Sequence, residues 1–128
     1  MLKTRFAPTP SGLLHIGNGA SFVATWALAR AWNAKILLRI DDLDAARMRP
    51  EYVEDIFRTI DWLGIDYDEG ATSVTDFMKH HSQIHRLDLY QNALEKWCKT
   101  AENSSFLPKI YACECSRRQI RIDTEGGV

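Results

Sequence analysis

Hydrophobic residues gather in three stretches of the first forty residues, and their arrangement predicts a strand, a helix and a second strand. Lys3 to Ala7 is predicted to be a first strand, and Lys35 to Ile40 (K-I-L-L-R-I) is a nearly continuous apolar run. Such a run is typical of a central parallel strand that is covered on both faces. Between them, Gly17 to about Asn33 is predicted to be a helix with Asn18 as its N-cap. Strand, helix and strand together make a βαβ unit.

The first predicted helix is apolar around nearly its whole circumference. The residues concerned are Phe22, Val23, Trp26, Ala27, Leu28, Ala31 and Trp32. A helix that is hydrophobic on all sides is usually buried. We therefore expect this helix to be packed against a sheet rather than to lie on the surface.

The rest of the chain continues the alternation of helices and strands. Pro50 to Leu63 is predicted to be a second helix, which Gly64 ends, and Thr75 to about Thr100 a long polar helix. Ser104 and Ser105 lead into a further predicted strand that ends near Ala112 and is followed by a short basic segment. This order predicts the α/β class, with a Rossmann-like parallel sheet and flanking helices. Ligands of such sheets collect at the carboxyl ends of the strands.

Composition indicates one globular domain. The chain has 128 residues, of which 45% are hydrophobic and 26% charged. It shows no signal-peptide core and no membrane-length apolar run, and its three cysteines make no disulfide framework, so we predict a cytoplasmic protein. The net charge of −1 argues weakly against extensive nucleic-acid binding. The late basic residues suit a solvated helix face better than an RNA contact: Lys109, Arg117, Arg118 and Arg121.

Candidate chemistry begins in the segment from Arg5 to Asn18, R-F-A-P-T-P-S-G-L-L-H-I-G-N. It places a strand, a stiff turn and a helix start in succession. Pro8 and Pro10 restrict the turn, while Gly12 and Gly17 let backbone approach a ligand closely. The exposed amides and the positive dipole end of the helix make its start an anion site. The pattern therefore predicts a nucleotide phosphate held at the helix start, although an ordinary strand-to-helix connection has similar elements.

The same segment resembles the N-terminal motif of glutamyl- and glutaminyl-tRNA synthetases, which are class I enzymes. Every residue of it matches except Asn18, where the consensus of the wider class has His. The segments Trp62 to Gly70 and Arg86 to Tyr90 are also similar to this family. The resemblance covers residues 1–128 but only the first half of the family's catalytic domain, with the start of a possible zinc-binding insertion near 105–128.

The resemblance implies that an amino acid is activated by ATP, with Mg²⁺, before its transfer to tRNA. His15 would donate a hydrogen bond to the phosphates, and Gly17 would let the helix start come close to them. Gly12 would let the loop lie against the adenosine side. Pro8 and Asn18 complete the ATP-binding residues that the resemblance implies.

By the same resemblance, Arg5, Ala7 and Thr9 hold the glutamate substrate. An arginine can bind a carboxylate with two parallel charged hydrogen bonds. Taken alone, an arginine in a strand fits a surface ion pair equally well. Thr9 replaces the family's more common serine and keeps the hydroxyl group.

Asp41 stands where the family receives the α-ammonium group of the substrate. Glutamyl enzymes usually carry Glu at this position and glutaminyl enzymes carry Asp, which leaves glutamate versus glutamine open. Asp42 and Asp44 are expected to cap the turn or to pair with Arg47 rather than to take part in chemistry.

Cys113 and Cys115 form half of a zinc site, because tetrahedral zinc needs four ligands. In the family such a pair is often completed shortly downstream, but the remaining residues of this chain include no further Cys or His. Buried structural cysteine is the alternative, and Cys98 is expected in the core. The order C-E-C-S-R-R-Q-I followed by Gly126 and Gly127 looks most like the short glutamyl-Q tRNA(Asp) synthetases.

The second motif of class I synthetases, Lys-Met-Ser-Lys-Ser or a variant, does not occur in the chain. We therefore predict a truncated piece that is inactive alone and whose exposed sheet edge and core favour dimerisation. The alternatives are a non-catalytic amino-acid or nucleotide binding module derived from a synthetase, and another nucleotidyltransferase of the same fold. The last would not share the segment from Arg5 to Gly12.

Overall fold

A small parallel sheet organises the described part of the chain. The computed structural model describes residues 2–102, 110–111, 113–116 and 118–120. They fall into two compact units, residues 1–88 and 89–128. The first unit contains β1 (Lys3–Phe6), α1 (Ile16–Ala31), β2 (Lys35–Leu38), α2 (Pro50–Trp62) and β3 (Glu69–Gly70). A further helix, α3 (Leu87–Glu102), begins at the end of the first unit and continues in the second.

The strands pair in parallel in the order β1-β2-β3. In register, Phe6 lies opposite Leu38, and Leu38 lies opposite Gly70. The parallel sheet with flanking helices is the architecture that the sequence predicts. The two-residue strand β3 was not predicted. Gly70 makes this pairing possible, because its φ is +114° and a Cβ there would overlap the carbonyl oxygen of Leu38.

The core lies between the sheet and its two helices. Phe6 and Phe22 pack with their ring centroids 5.0 Å apart, joining β1 to α1. Other large side chains that are almost fully buried include Ile36, Leu38, Val53, Ile56, Ile60 and Phe77, most of them from β2 and α2. Burial of each such side chain contributes about 1.5–3 kcal/mol.

The predicted burial of α1 is wrong. Only Phe22 and Ala29 are buried in this helix, whereas Leu28 and Trp32 expose 54% and 65% of their surface. One side of the helix meets the sheet, and its outward residues, Leu28 and Trp32 among them, remain exposed. The composition of the helix therefore leaves an apolar surface, to which Val23 also contributes.

The predicted long helix from Thr75 is interrupted. A short turn and a π-helical turn run to His81, and a 3-10 turn, Gln83–Arg86, precedes α3. Ser82, between the two turns, has ψ +135°, which is outside the helical region. Its hydroxyl oxygen accepts a hydrogen bond from the Ile84 N–H, and its O–H donates one to Asp42. These side-chain bonds replace helix continuation, as serine hydroxyls often do.

A polar cluster fastens α1 to the loop before β3. Trp26 Nε1 donates to Asp66 at 2.6 Å, and Arg30 donates to Asp66 and to Asp68 at 2.8 and 2.9 Å. The Ile36 N–H donates to Asp68 at 2.7 Å. The pKa of Asp66 is lowered first by the Trp26 bond and then by Arg30, and the pKa of Asp68 is lowered first by the Ile36 N–H and then by Arg30. Both carboxylates therefore favour the ionised form.

The remaining predictions concern the last part of the chain. The strand ending near Ala112 and most of the basic segment lie outside the described residues, and residues 118–120 are helical. In the described part of the chain, no helix has both the length and the apolar character needed to cross a membrane.

Candidate functional site

One groove of the first unit brings together residues predicted for two different ligands. Arg5 and Ala7, predicted for the amino acid, line it with Pro8 and Asn18, predicted for ATP. The groove has a volume of about 440 Å³ and runs between the end of β1 and the start of α1. The rest of its lining is Thr4, Phe6, Ser21, Phe22 and Thr25. The side chain with a fixed charge in this lining is the exposed Arg5, so the groove suits an anionic group.

His15, and not Asn18, is the N-cap of α1, which corrects the sequence-based prediction. The Gly17 N–H donates to His15 Nδ1 at 3.0 Å, and the His15 N–H donates to Asn18 Oδ1 at 3.0 Å. The two side chains form a reciprocal capping box. Because Nδ1 accepts a bond, a neutral imidazole carries its proton on Nε2. His15 is exposed, so its Nε2–H can donate to a ligand.

Gly17 accommodates the ring of His15. A Cβ at Gly17 would lie 2.8 Å from His15 Cε1, closer than real Cβ contacts allow. Glycine at this position therefore lets the imidazole lie over the helix start. Gly12, by contrast, has no atom within 4 Å of the place a Cβ would take, so the space beside it is open.

The anion site predicted at the helix start is partly used by the chain itself. The N–H of Gly17 donates to the His15 side chain, and the N–H of Asn18 donates to the His15 carbonyl oxygen at 2.9 Å. A phosphate at this point would bind the Nε2–H of His15 or displace the ring from the Gly17 N–H. Fewer N–H groups are free at the helix start than the sequence predicts, because they already donate hydrogen bonds within the cap.

The loop before His15 is anchored to α2 by a residue that sequence reasoning missed. Leu14 N–H donates to Asp55 Oδ2 at 2.8 Å, and Arg58 Nη2 donates to Asp55 Oδ1 at 2.5 Å. Asp55 is buried, with 7% of its surface exposed. A charged residue in a helix ordinarily indicates a solvated face, so no local pattern distinguishes Asp55.

Asp41 lies beside the loop that follows β1. Its N–H donates to the Pro8 carbonyl oxygen at 2.9 Å. Its carboxylate receives two hydrogen bonds from Arg39, at 2.7 and 2.9 Å, and one from Gln83 Nε2 at 3.0 Å. Thr9 is exposed in the same loop. The carboxyl ends of β1 and β2 are thus adjacent, as the sequence predicts.

Asp42 does not cap the turn or pair with Arg47. It is 1% exposed and accepts hydrogen bonds from the Ser82 hydroxyl at 2.5 Å and from the Gln83 N–H at 2.8 Å. The predicted pairing holds for Asp44, which forms an ion pair with Arg47 at 2.6 Å. Ser82 and Gln83 were missed because they lie forty residues further along the chain than their carboxylate partner.

The structure does not bring His15 into the groove with Arg5. His15 lines a second groove of about 790 Å³, between α1 and α2, whose walls are mostly apolar. Ile16 and Trp62, also in this groove, expose 92% and 81% of their surface. The predicted phosphate donor and the predicted carboxylate-binding arginine therefore line different grooves.

In the part of the chain that the structure describes, the cysteines do not complete a metal site. Cys113 and Cys115 are exposed free thiols, and Cys98 is half-buried. Among the residues that the structure describes, no group of three or more His, Cys, Asp or Glu side chains could hold a metal ion. Two thiolates do not supply the four ligands of tetrahedral zinc, so these residues do not fit the ion.

Comparison with known proteins identifies the class of protein. Residues 1–124 match the family model for the catalytic domain of class I tRNA synthetases (E and Q). The chain belongs to this family, whose members are ligases.

Among its relatives is the glutamyl-Q tRNA(Asp) synthetase of Symbiobacterium thermophilum, 41% identical over 120 residues. That match covers 94% of this chain and 35% of the relative. The glutamate–tRNA ligase of Chromobacterium violaceum is 36% identical over 120 residues, covering 94% of this chain and 23% of the relative. The chain thus spans about a third or less of the length of these relatives.

Solved structures agree with the fold. The glutamate-tRNA synthetase of Elizabethkingia anophelis is 28% identical with a TM-score of 0.65, covering 77% of this chain and 20% of that one. A glutamate tRNA ligase of Elizabethkingia meningosepticum, in complex with its amino acid, is 25% identical with a TM-score of 0.67. The match covers 98% of this chain and 24% of that protein. The predicted Rossmann-like architecture is confirmed by the parallel sheet and by these neighbours.

Proposed function

We propose that the protein containing this segment activates glutamate with ATP and transfers it to tRNA, as a glutamyl-Q tRNA(Asp) synthetase or a glutamate–tRNA ligase. The observation that carries the proposal is the groove that Arg5 and Ala7 share with Pro8 and Asn18. The residues that we propose for the amino acid and for the nucleotide line this one small groove together. We propose residues 1–128 as the N-terminal part of the catalytic domain, acting in the cytoplasm.

The reaction forms an aminoacyl-adenylate. An oxygen of the amino-acid α-carboxylate attacks the α-phosphorus of ATP, the new P–O bond forms, and the bond to pyrophosphate breaks. Arg5 binds a substrate carboxylate, Asp41 accepts hydrogen bonds from the α-ammonium, and Ala7 and Thr9 contact the amino acid. The Nε2–H of His15 donates to a phosphate oxygen. Positioning and charge stabilisation supply most of the rate enhancement in such a step.

Glutamate is the proposed substrate because the relatives named above are glutamyl enzymes. Asp41 remains the residue that keeps glutamine as an alternative. Mg²⁺ is proposed to arrive with ATP, because the described residues offer no cluster of acidic ligands for it. Zinc is not proposed, since Cys113 and Cys115 supply two of four ligands.

The 128-residue chain alone is proposed to bind ligands weakly and not to aminoacylate, because it spans 35% or less of the relatives' length. A titration followed by ¹⁵N NMR tests the first part. We expect Mg²⁺-ATP to shift the amide signals of His15, Gly17 and Asn18, and glutamate to shift those of Arg5 and Asp41. Unchanged spectra at millimolar concentrations of both ligands would overturn the proposal.

Pyrophosphate exchange on the purified chain tests the second part. We expect none above background. Exchange that His15→Ala abolishes would show that the 128 residues are a complete catalyst.

A non-catalytic amino-acid or nucleotide binding module is the second candidate, because a groove lined by Arg5 and Asn18 can hold a ligand without any chemical step. The two candidates differ in any longer protein that contains this segment. A synthetase exchanges pyrophosphate there in the presence of glutamate, whereas a binding module shows the same ligand shifts without exchange.

The chain is also proposed to self-associate at the groove between α1 and α2. Ile16 and Trp62 are strongly exposed there, and the lining is mostly apolar. An exposed apolar patch of this kind favours association.

A further inference from the structure

We propose that Gln83 is a positioning residue for Asp41, and that it determines which carboxylate oxygen of Asp41 receives the ammonium group of the amino acid. The inference rests on the proposed function, because it identifies a residue that orients a side chain of the same amino-acid site. Gln83 contacts no substrate in this proposal and acts through Asp41.

The segment from Asp41 to Asp44, which we call the acidic turn, follows β2. Gln83 joins the carboxylates of its first two residues, Asp41 and Asp42. Its side-chain Nε2 donates to Asp41 Oδ1 at 3.0 Å, and its backbone N–H donates to Asp42 Oδ1 at 2.8 Å. Ser82 holds the second oxygen of Asp42 at 2.5 Å. Asp42 is therefore fixed from two sides, and its neighbour Asp41 is held by the same short segment.

The hydrogen bonds to Asp41 are unequal between its two oxygens. An ionised carboxylate offers about four acceptor positions, two on each oxygen. Arg39 takes one on each, with Nε on Oδ1 and Nη2 on Oδ2. With Arg39 alone, the two oxygens would each keep one position. The bond from Gln83 to Oδ1 removes this equivalence and leaves the remaining position on Oδ2.

The burial of Gln83 supports a role beyond packing. The residue is 8% exposed, and its Oε1 atom is buried without a hydrogen-bond partner in the described part of the chain. An unpartnered buried amide oxygen costs free energy that a leucine or methionine of similar volume would avoid. Because packing alone favours the apolar residue, the amide is explained by its hydrogen bond to Asp41.

The test uses Gln83→Leu, with Gln91→Leu as the matched control. Gln91 is exposed on α3 and bonds to Glu95 at 3.2 Å, away from the acidic turn in sequence and in its contacts. Dissociation constants for glutamate, for glutarate and for Mg²⁺-ATP are measured on the 128-residue chain by NMR. Glutarate keeps the carbon chain and both carboxylates of glutamate but has no amino group.

We expect Gln83→Leu to weaken glutamate binding about tenfold, as for a misplaced hydrogen bond to a charged group. Glutarate and ATP should bind as to the wild type, and Gln91→Leu should change none of the three. Gln83→Met, which keeps the unbranched shape, replaces Gln83→Leu if the latter fails to fold.

If the binding of glutamate and the binding of glutarate are weakened equally, the effect is a general structural one and the inference is overturned. Glutamate binding within about twofold of the wild type would also overturn the inference, where the twofold limit is well below the effect of one charged hydrogen bond. In both cases the proposed function stands. A wild-type chain that binds neither glutamate nor ATP overturns the proposed function and the inference together.

Discussion

His15 and Gly17 are joined by a hydrogen bond in which the Gly17 N–H donates to His15 Nδ1 at 3.0 Å. The same imidazole thereby starts α1 and turns its Nε2–H away from the helix. Stability and ligand binding depend on different atoms of one side chain, so substitutions can separate them.

Substitution of His15 should separate the cap from the ligand contact. His15→Ala removes both and should lower the free energy of unfolding by about 0.5–2 kcal/mol, the usual range for a lost N-cap. His15→Asn restores a capping oxygen and should recover most of that stability, but not ATP binding. Urea unfolding and NMR titration with Mg²⁺-ATP measure the two effects. Equal ATP affinity in wild type and His15→Asn would contradict a role for Nε2–H.

Gly17→Ala should displace the His15 ring, because the new Cβ would meet His15 Cε1 at 2.8 Å. We expect lower stability and weaker ATP binding. Gly19→Ala is the matched control, since a Cβ there meets Leu63 Cδ1 at a comfortable 3.9 Å. Alanine in a helix interior is favoured over glycine by roughly 0.5–1 kcal/mol, so Gly19→Ala should be more stable than wild type. Thermal unfolding of both variants checks the opposite signs, and a stabilised Gly17→Ala would contradict the steric argument.

Asp55→Ala should loosen the loop that precedes His15, because the Leu14 N–H loses its acceptor. A buried donor left without a partner costs about 1–3 kcal/mol. Arg58→Ala removes only the exposed partner of the same carboxylate and should cost less than about 1 kcal/mol. Hydrogen exchange at the Leu14 amide reports the local effect and should accelerate strongly in Asp55→Ala alone. Unchanged exchange at Leu14 would show that Asp55 does not anchor the loop.

The stability of the fold should fall in acid, because the carboxylates of Asp66 and Asp68 beside Arg30 become protonated. The pKa of Asp66 is held below its ordinary value near 3.8 by the Trp26 and Arg30 hydrogen bonds, and the pKa of Asp68 is lowered by bonds from the Ile36 N–H and Arg30. A group whose pKa is lower in the folded state stabilises the fold above its unfolded pKa, and this stabilisation is lost as pH falls through the folded pKa. The free energy of unfolding should therefore be flat between pH 7 and 5 with respect to these groups and decline below about pH 4.

Asp66→Asn is the control for the acid transition. It should lower stability at pH 7 and make the decline below pH 4 shallower than in the wild type. Because the Asp66 side chain is 69% exposed, salt should reduce the difference. A steeper acid decline in Asp66→Asn would contradict the assignment to this cluster.

Self-association should depend on Trp62. We expect the mass measured by light scattering to rise with concentration in the wild type and to stay nearer the monomer value in Trp62→Gln. Trp32→Gln is the matched control, because Trp32 is also exposed, at 65%, but does not line the groove between α1 and α2. A wild type that remains monomeric at high concentration would exclude the proposed association.

Sequence patterns predicted β1, β2, α1 and α2 because the apolar residues of each lie within one continuous segment, but they missed the two-residue strand β3. They failed where distant side chains decide the backbone. The bond between Ser82 and Asp42 interrupts the expected long helix, and no nearby residue signals it. The N-cap was misplaced for a related reason, since histidine is not a common cap and becomes one here through its Nδ1 atom.

The candidate ligand-binding residues were found through motif resemblance, but the residues that hold them in place were not. Arg5, Asp41 and His15 belong to motifs that can be recognised in the chain, whereas Asp55 and Gln83 have their effect through hydrogen bonds to residues about forty positions away. A residue whose role depends on such a contact has no local spacing by which sequence could reveal it. The surface exposure of α1 could not be predicted either, because composition does not say how many sides of a helix are covered.

The bond between Ser82 and the Asp42 carboxylate closes a loop of forty residues. Closing so long a loop costs chain entropy before its contacts compensate, and such long-range pairings form slowly. We therefore expect the acidic turn to become ordered only after the sheet and α2 have assembled. Amino-acid recognition would then be among the last properties that a refolding chain acquires.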